Sequence, residues 1–337
     1  MTKTRKFSII KLLLLLTLCT ILFAGCGENE DENPKETKAP VSDSTPSTGT
    51  PTPEETLAPT IESTQTIPEG VPYITLPPDF EESGNATITG LAPLKQISTI
   101  VIDPENTRGL STERVAHWFG KDTPVQPEIF QKEYEANNWS ALTYDYKTNE
   151  KVIYLTFDCG YENGYTSKIL DTLKEKNIKA AFFVTMDYIE EAPDVTARMI
   201  KEGHIVGNHS DTHPDFSTIS RTRMASELQK LDNYLRVNFG YSSKYFRYPM
   251  GRYNASSMDL LTNMGYRSIF WSYAYADYDE IVYGNHYAFD KVTSNLHPGE
   301  VLLLHAISAD NANDLADIID YAQGQGYEFR TLDEYAW

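Results

Sequence analysis

Short runs of apolar residues recur along the second half of the chain and are separated by polar and turn-forming residues. Seven such runs cover residues 152–157, 179–185, 204–207, 244–246, 267–271, 301–304 and 327–329. Short continuous apolar runs that are bounded by turn residues are typical of buried strands. We therefore predict seven buried strands between residue 152 and the end of the chain.

Helical patterns lie between these runs. Over residues 220–239, Leu228, Leu231 and Leu235 fall on one face, and a glycine follows directly. A second helix is predicted from Asp310, as its N-cap, to the glycines near residue 325. Strands that alternate with helices predict parallel βα units. This alternation predicts a barrel if the ends of the sheet meet, and an open sheet if they do not.

The first 26 residues have the plan of a secretory signal peptide. Basic residues precede the apolar run 12–23, and small residues lead to Cys26. An apolar run of this length is shorter than the roughly 20 residues that a membrane-spanning helix needs. Ala24-Gly25-Cys26 also resembles the lipobox of bacterial lipoproteins. We therefore expect export, with a lipid on Cys26 that anchors the chain to the membrane.

Composition divides the rest of the chain into three further parts. Residues 27–72 are rich in proline, threonine, serine and glutamate, which predicts a disordered tether because few apolar groups are available for burial. Residues 73–150 have a mixed pattern and are interpreted as an N-terminal extension packed on the main domain. The main domain is expected to cover residues 151–337.

Charge and cysteine content narrow the possible functions. The formal net charge of −19 argues against nucleic acid as a partner. Of the three cysteines, Cys19 would leave with the signal peptide and Cys26 would carry the lipid. Cys159 would then be alone in the folded part, so no intramolecular disulfide is expected.

Polar residues of catalytic type follow five of the predicted strands. They are Asp158, Cys159, His209, His213, Arg247, Asp277 and His305. Taken singly, each has an ordinary structural explanation, such as a helix cap, a surface ion pair or a buried histidine. Because the carboxyl ends of parallel strands share one face of a barrel, the set as a whole predicts an active site there.

His209 and His213 have a spacing that can place two imidazoles on one metal ion. Pro214 disfavours helical backbone at His213, so the pair is expected on a loop or a frayed turn. A pair of this kind is not diagnostic by itself, because histidine pairs also occur on ordinary surfaces.

Five short motifs carry a resemblance to a known family. They are Thr156-Phe-Asp-Cys-Gly160, His209-Ser-Asp-Thr-His213, Arg247-Tyr-Pro-Met-Gly251, Asp277-Tyr278 and Leu303-Leu-His305. In this order they resemble the motifs of the polysaccharide deacetylase (NodB homology) family, carbohydrate esterase family 4, over residues 151–337. Residues 156–166, 207–210, 270–272 and 304–311 are most similar to the peptidoglycan N-acetylmuramic acid deacetylases of the δ-lactam pathway.

The resemblance implies an α/β fold, a distorted (β/α)7 barrel, and a role for each motif residue. The implied catalytic residues are Asp158 as general base, Arg247 as its orienting partner, His305 as general acid and Asp277 as the residue that holds His305. The implied substrate-binding residues are Leu303 at the acetyl methyl, Met250 through its backbone N–H at the oxyanion, and Tyr278. His209 and His213 would bind a divalent metal ion, and zinc is the ion we expect.

This chain departs from the family pattern at two positions. Cys159 stands where the family has a second aspartate, and Tyr278 stands where it has a tryptophan. A thiolate is a good zinc ligand, so Cys159 is taken as a third ligand beside the two histidines. The alternative is a small buried thiol that takes no part in metal binding.

The function that these features predict is metal-dependent removal of N-acetyl groups from peptidoglycan, with N-acetylmuramic acid as the expected sugar. The expected enzyme is a monomer that is held on the outer side of the cell membrane and faces the wall. The alternatives are deacetylation of N-acetylglucosamine polymers or acetylxylan, a non-catalytic wall-binding module, and a cysteine hydrolase that uses Cys159 with His305.

Overall fold

The computed structural model describes residues 65–79, 87–117, 125–279 and 281–337. The predicted signal peptide, Cys26 and most of the predicted tether lie outside these residues. The strands are β1 (Tyr73–Leu76), β2 (Thr99–Ile102), β3 (Val115–Ala116), β4 (Ala141–Leu142), β5 (Val152–Cys159), β6 (Ala181–Val184), β7 (Ile205–Asn208), β8 (Tyr245–Phe246), β9 (Arg252–Tyr253), β10 (Arg267–Ile269), β11 (Glu300–His305) and β12 (Glu328–Phe329).

The helices lie between these strands, and most of them connect neighbouring strands of the main sheet. They are α1 (Val125–Ala136), α2 (Thr166–Glu175), α3 (Met186–Glu191), α4 (Pro193–Lys201), α5 (Arg221–Phe239), α6 (Ala255–Asn263), α7 (Tyr287–Thr293) and α8 (Ala309–Gly324). Short 3-10 turns cover Pro249–Gly251 and Leu332–Glu334.

The main sheet is parallel throughout, in the order β11-β5-β6-β7-β8-β10-β4, and β12 pairs with the first residues of β5. Each of the seven predicted strands overlaps one of its members. The additional strand, β4, comes from the N-terminal extension. Its two residues give too short an apolar run for the sequence pattern to indicate a strand.

The sheet is curled, so that the chain after β10 reaches the far edge strand β11. Tyr273 forms a parallel bridge with Leu302, and the Leu303 N–H donates to the Tyr273 carbonyl (2.9 Å). The observed fold is therefore a curled, parallel half-barrel with surrounding helices, in which seven strands follow one another around the curl and β12 pairs with β5. The predicted fold class, a distorted α/β barrel, is confirmed.

Alternation along β5 separates two apolar layers. Val152 and Tyr154 belong to a small cluster with one residue from most strands of the sheet, which fills the inside of the curl. Ile153, Leu155 and Cys159 belong to a larger cluster with residues of the surrounding helices. Successive side chains of a strand point to opposite faces, so the residue before Cys159 points inwards.

The two predicted helices are present, and one predicted boundary is wrong. Helix α5 begins after Ser220, whose side chain accepts from the Arg223 N–H, and ends at Gly240 with φ 61°. Glycine suits this position because a Cβ there would lie 2.4 Å from the Ala92 carbonyl oxygen. The N-cap of α8 is Ser308, two residues before the predicted Asp310.

The described part of the N-terminal extension is in contact with the barrel at several places. Strand β3 pairs with β9, with Ala116 opposite Arg252, and β4 joins the main sheet beside β10. Arg221, in α5, donates to the carbonyl of Ile102 in β2 (2.9 Å). Within the ranges described above, no helix combines the length and the apolar character needed to cross a membrane.

Candidate active site

A cavity of about 680 Å³ opens at the carboxyl ends of the barrel strands. The residues of the sequence prediction that line it are Asp158, His209, His213, Met250, Tyr278, Leu303 and His305. Arg247 and Asp277 lie behind this wall and contact Asp158 and His305 respectively. The structure thus brings nine of the ten predicted site residues together.

Asp158 is held by Arg247. Nη1 of Arg247 donates to Oδ1 of Asp158 (2.8 Å), and the guanidinium is fully buried. Burial alone would raise the pKa of Asp158, but the positive charge of Arg247 and the nearby histidines outweigh it, so the pKa is lowered. Asp158 is therefore ionised at neutral pH and can accept a proton.

The other donors of Arg247 are occupied by fixed partners. Nε donates to the Ile269 carbonyl (3.0 Å), and Nη2 donates to the Phe270 carbonyl (3.0 Å) and to Oγ1 of Thr156 (2.9 Å). The guanidinium also lies over the Phe183 ring, 4.3 Å from its centroid. This arrangement fixes the orientation of Arg247, and hence that of Asp158, and leaves Arg247 unsuited to binding substrate.

His305 lies beside Asp158 on the neighbouring strand, as its Cα partner in the pairing of β11 with β5. Nδ1 of His305 donates to Oδ1 of Asp277 (2.6 Å), so Nε2 is the nitrogen left for a substrate. Burial lowers the pKa of His305, but the charge of Asp277 and its hydrogen bond outweigh this, and the pKa is raised. The imidazole is therefore suited to donating a proton.

Asn311 completes this arrangement, and the sequence pattern gave it no role. Its Nδ2 donates to Oδ2 of Asp277 (2.6 Å) and to the carbonyl of His305 (3.1 Å). It lies in the first turn of α8, close enough in the chain to reach back to the end of β11. Thr156, which supports Arg247, was also missed, because a threonine inside a β-strand gives no signal of function.

The two histidines of the second motif lie next to each other, with ring centroids 4.8 Å apart. Nδ1 of His209 must carry the proton, because its partner at 2.9 Å is the Arg247 carbonyl oxygen. Its Nε2 then carries an unprotonated lone pair and lies 3.6 Å from Oδ2 of Asp158. Burial lowers the pKa of His209 to about 4, so the ring is neutral, as a metal ligand must be.

The loop that carries His213 is held by short polar contacts. The His213 N–H donates to Oγ of Ser210 (2.9 Å), and the Ser210 N–H donates to Oδ1 of Asn208 (2.8 Å). From α5, Oε2 of Glu227 accepts from the Thr212 N–H (2.7 Å). Ser210 and His213 both have positive φ, at 75° and 52°, so the pair lies on a loop, one of the two placements that Pro214 indicated.

The third motif forms a tight turn at the cavity wall. Met250 has φ 57° and ψ 14°, and its side chain is exposed. Gly251 follows, and a Cβ there would lie 2.7 Å from the Trp271 ring and 2.8 Å from the His117 carbonyl oxygen. This close packing brings His117, from the N-terminal extension, against the turn and fixes the backbone at Met250.

The structure does not bring Cys159 to the two histidines. Cys159 is fully buried, belongs to the cluster between the sheet and the helices, and does not line the cavity. Strand alternation explains this placement, since Asp158 points into the cavity. Burial raises the pKa of the Cys159 thiol well above its usual value, which argues against a nucleophilic thiolate.

Comparisons with known proteins were made after this geometry was established. A family model described as polysaccharide deacetylase matches residues 145–269. The peptidoglycan-N-acetylmuramic acid deacetylase PdaA of Bacillus subtilis is 40% identical over 189 residues, which are 56% of this chain and 72% of that protein. A peptidoglycan-N-acetylglucosamine deacetylase of Bacillus cereus is 27% identical over 209 residues, covering 58% and 74%.

Solved structures agree with the sequence relatives. The structure of Bacillus subtilis PdaA, a family 4 carbohydrate esterase, superposes with a TM-score of 0.61 at 35% identity and covers 67% of this chain and 97% of that one. The resemblance that the five motifs indicated is confirmed. This chain belongs to the polysaccharide deacetylase family, carbohydrate esterase family 4, and is an N-deacetylase.

Proposed function

We propose that this enzyme hydrolyses the acetamide of N-acetylmuramic acid in peptidoglycan and releases acetate. The observation that carries the proposal is the placement of Asp158, held by Arg247, and His305, held by Asp277, in one cavity. The muramic sugar is supported by the similarity to PdaA, whose name states that substrate. Acetamide hydrolysis needs both a base for water and an acid for the departing nitrogen.

The chain's own residues divide this work between Asp158, which Arg247 holds, and His305, which Asp277 holds. Asp158 accepts a proton from the attacking water while Arg247 holds it in place. The Met250 backbone N–H meets the oxygen of the acetyl carbonyl as negative charge develops there. His305 then donates its proton to the amine nitrogen, and Leu303 contacts the acetyl methyl.

His209 and His213 would hold a divalent ion. Two neutral imidazoles with an adjacent carboxylate suit zinc, although no group of three His, Cys, Asp or Glu side chains in the described residues has the arrangement of a complete site. Such an ion, when bound, would polarise the acetyl carbonyl and lower the pKa of a nearby water to about 7. Cys159 is left out of this ligand set.

Mass spectrometry of peptidoglycan treated with the purified protein tests the substrate. We expect muramic residues to lose 42 Da, the mass that separates an acetamide from an amine, and a chelator to abolish the change. Restoration by zinc would support metal dependence. Loss of acetyl groups from glucosamine residues alone would instead support the activity that the Bacillus cereus relative's name states.

The site of action is the outer side of the membrane, through a lipid on Cys26 and the tether 27–72. A flexible tether of this length would let the domain sample tens of ångströms from the membrane. We expect metabolic labelling with a fatty-acid analogue to mark the native protein and not Cys26→Ala. Equal labelling of the two proteins would contradict the lipid anchor.

Cys159→Ala is expected to bind zinc as tightly as the native protein, within about twofold, because the thiol faces the helix layer. Cys159→Asp should instead lower stability, since it would bury a carboxylate among apolar side chains. Zinc titration by calorimetry, with thermal unfolding of each protein, checks both expectations. A large loss of zinc affinity in correctly folded Cys159→Ala would restore Cys159 to the ligand set.

A further inference from the structure

The turn that carries the Met250 N–H has a backbone conformation that needs support. The Gly251 N–H donates to the Tyr248 carbonyl (2.9 Å) and closes the turn, and Met250, inside it, has φ 57° and ψ 14°. A left-handed backbone is unfavourable for a residue that has a Cβ, and it persists only where the surrounding structure holds it. The proposed oxyanion donor therefore depends on what packs against this turn.

The N-terminal extension supplies this support directly after β3. The His117 N–H donates to the Gly251 carbonyl (2.7 Å), which continues the pairing of β3 with β9. The His117 carbonyl oxygen lies 2.8 Å from the position that a Gly251 Cβ would take. Ala116, the preceding residue, lines the cavity itself. The five family motifs begin at Thr156, so this support comes from outside the motifs.

The imidazole of His117 is fixed through both of its nitrogens. Nε2 lies 2.9 Å from the Trp271 carbonyl oxygen, which can only accept, so Nε2 carries the proton. Nδ1 then accepts from the Tyr134 hydroxyl (3.3 Å). Burial lowers the pKa of His117 to about 3, so the ring is neutral. A single tautomer of the neutral ring therefore satisfies both partners.

The ring is enclosed by both parts of the chain. Its centroid lies 4.7 Å from that of Phe130, in α1 of the extension, and 4.8 Å from that of Phe270 in the barrel. It also meets the edge of the Trp271 ring, at 5.1 Å, and Trp271 forms part of the cavity wall. From the extension, Oγ1 of Thr143 donates to the same Trp271 carbonyl (2.8 Å). A shift of the His117 ring would therefore move the turn and the cavity wall together.

We propose that His117 is a positioning residue, through which the N-terminal extension holds the Met250 N–H at the place where the acetyl oxygen becomes negative. This inference rests on the proposed function and extends it. An oxyanion donor is effective only at the correct distance, and a misplacement of about 1 Å can lower the rate by about 10². His117 does not line the cavity, so its effect on the reaction passes through the turn.

The test measures how far each variant depends on stabilisation of the negative acetyl oxygen. The two substrates are peptidoglycan glycans whose muramic residues carry either an N-acetyl or an N-trifluoroacetyl group. Fluorine withdraws electrons and stabilises the negative oxygen by itself, so the trifluoroacetyl substrate depends less on the Met250 N–H.

His117→Leu loses both hydrogen bonds of the ring. On the acetyl substrate it should lower kcat by about tenfold or more with little change in KM, because the interaction is made in the transition state. The loss should be clearly smaller on the trifluoroacetyl substrate. His117→Gln can still donate to the Trp271 carbonyl, so its kcat should lie between those of His117→Leu and the native protein.

Gln229→Ala is the matched control, because it loosens the extension at a different place. Gln229, in α5, is buried, accepts the Thr99 N–H (2.9 Å) and donates to the Pro77 carbonyl (2.8 Å). Its loss should lower the unfolding temperature and leave the ratio of the two rates at the native value.

Thr143→Val, which removes one donor to the Trp271 carbonyl and keeps the shape of the side chain, tests the same network if His117→Leu does not fold. It should change the ratio in the same direction, by less. Equal losses on both substrates in the folded variants, or unchanged rates, would overturn the inference. If the native protein deacetylates no muramic residue, the proposed function fails. The same ratio on N-acetyl and N-trifluoroacetyl glucosamine chains would then still decide the role of His117.

Discussion

Asp158→Asn should lower turnover by at least about 10², because asparagine cannot accept the proton of the attacking water. The asparagine side chain keeps nearly the same shape, and its oxygen can still accept the hydrogen bond from Nη1 of Arg247. The loss should therefore appear mainly in kcat, with little change in substrate binding. Steady-state rates on the muramic substrate at saturating zinc measure it.

The same substitution also affects stability, because Arg247 is fully buried and loses its counter-charge. Removal of one partner of a buried ion pair costs about 3–5 kcal/mol. We therefore expect a lower unfolding temperature, and activity must be measured well below it. Asp320→Asn is the control, since it makes the same chemical change in a surface ion pair with Lys176. Near-native turnover of folded Asp158→Asn would remove Asp158 from the proton transfer.

Much of the fold could be predicted because the barrel strands are buried on both faces. Short continuous apolar runs such as 152–157 and 301–304 are typical of such strands, and both lie in strands of the sheet. Strand β4 could not be predicted, since two residues carry no periodicity and their pairing with β10 is set by tertiary contacts. The N-cap of α8 was predicted at the wrong residue, because serine and aspartate are both good N-cap residues. The path of the chain after β11 determines that the helix begins after Ser308 and not after Asp310.

The site could be predicted where residues of catalytic type lie at the carboxyl ends of predicted strands. Asp158, His209 and His305 follow strands directly, so their meeting at one barrel end follows from parallel topology. Cys159 shows the limit of this reasoning, because adjacent positions at a strand end point to opposite faces. Its place in the motif suggested a metal ligand. In β5, however, its side chain points to the opposite face from that of Asp158, so the thiol lies in the cluster between the sheet and the helices.

Asn311 supports Asp277, but the sequence pattern gave it no role. Asn311 reaches Asp277 only because α8 begins shortly after β11 ends, at the same end of the sheet. Such contacts depend on loop paths, which hydrophobic periodicity does not encode.

His305→Ala should lower turnover by at least about 10², because it removes the proton donor for the departing amine. The loss should be smaller for a substrate with a more acidic leaving group, such as an acetanilide, since that nitrogen needs less assistance. A His305→Ala enzyme that retains near-native turnover on the muramic substrate would exclude His305 as the acid.

Asp277→Asn should shift the alkaline limb of the pH–rate profile to lower pH. The charge of Asp277 outweighs the effect of burial and keeps the pKa of His305 raised. In the native enzyme, His305 should therefore stay protonated through neutral pH. Activity should fall as the pH rises above that raised pKa. Without the charge, burial dominates, the pKa falls, and the protonated fraction at neutral pH falls with it.

Asn311→Ala, which removes a hydrogen bond to Asp277 but keeps its charge, should leave the limb near its native position. Values of kcat/KM at saturating zinc, from about pH 5 to about pH 9, measure the shift, and an unmoved alkaline limb in folded Asp277→Asn would show that His305 is not the group that titrates there.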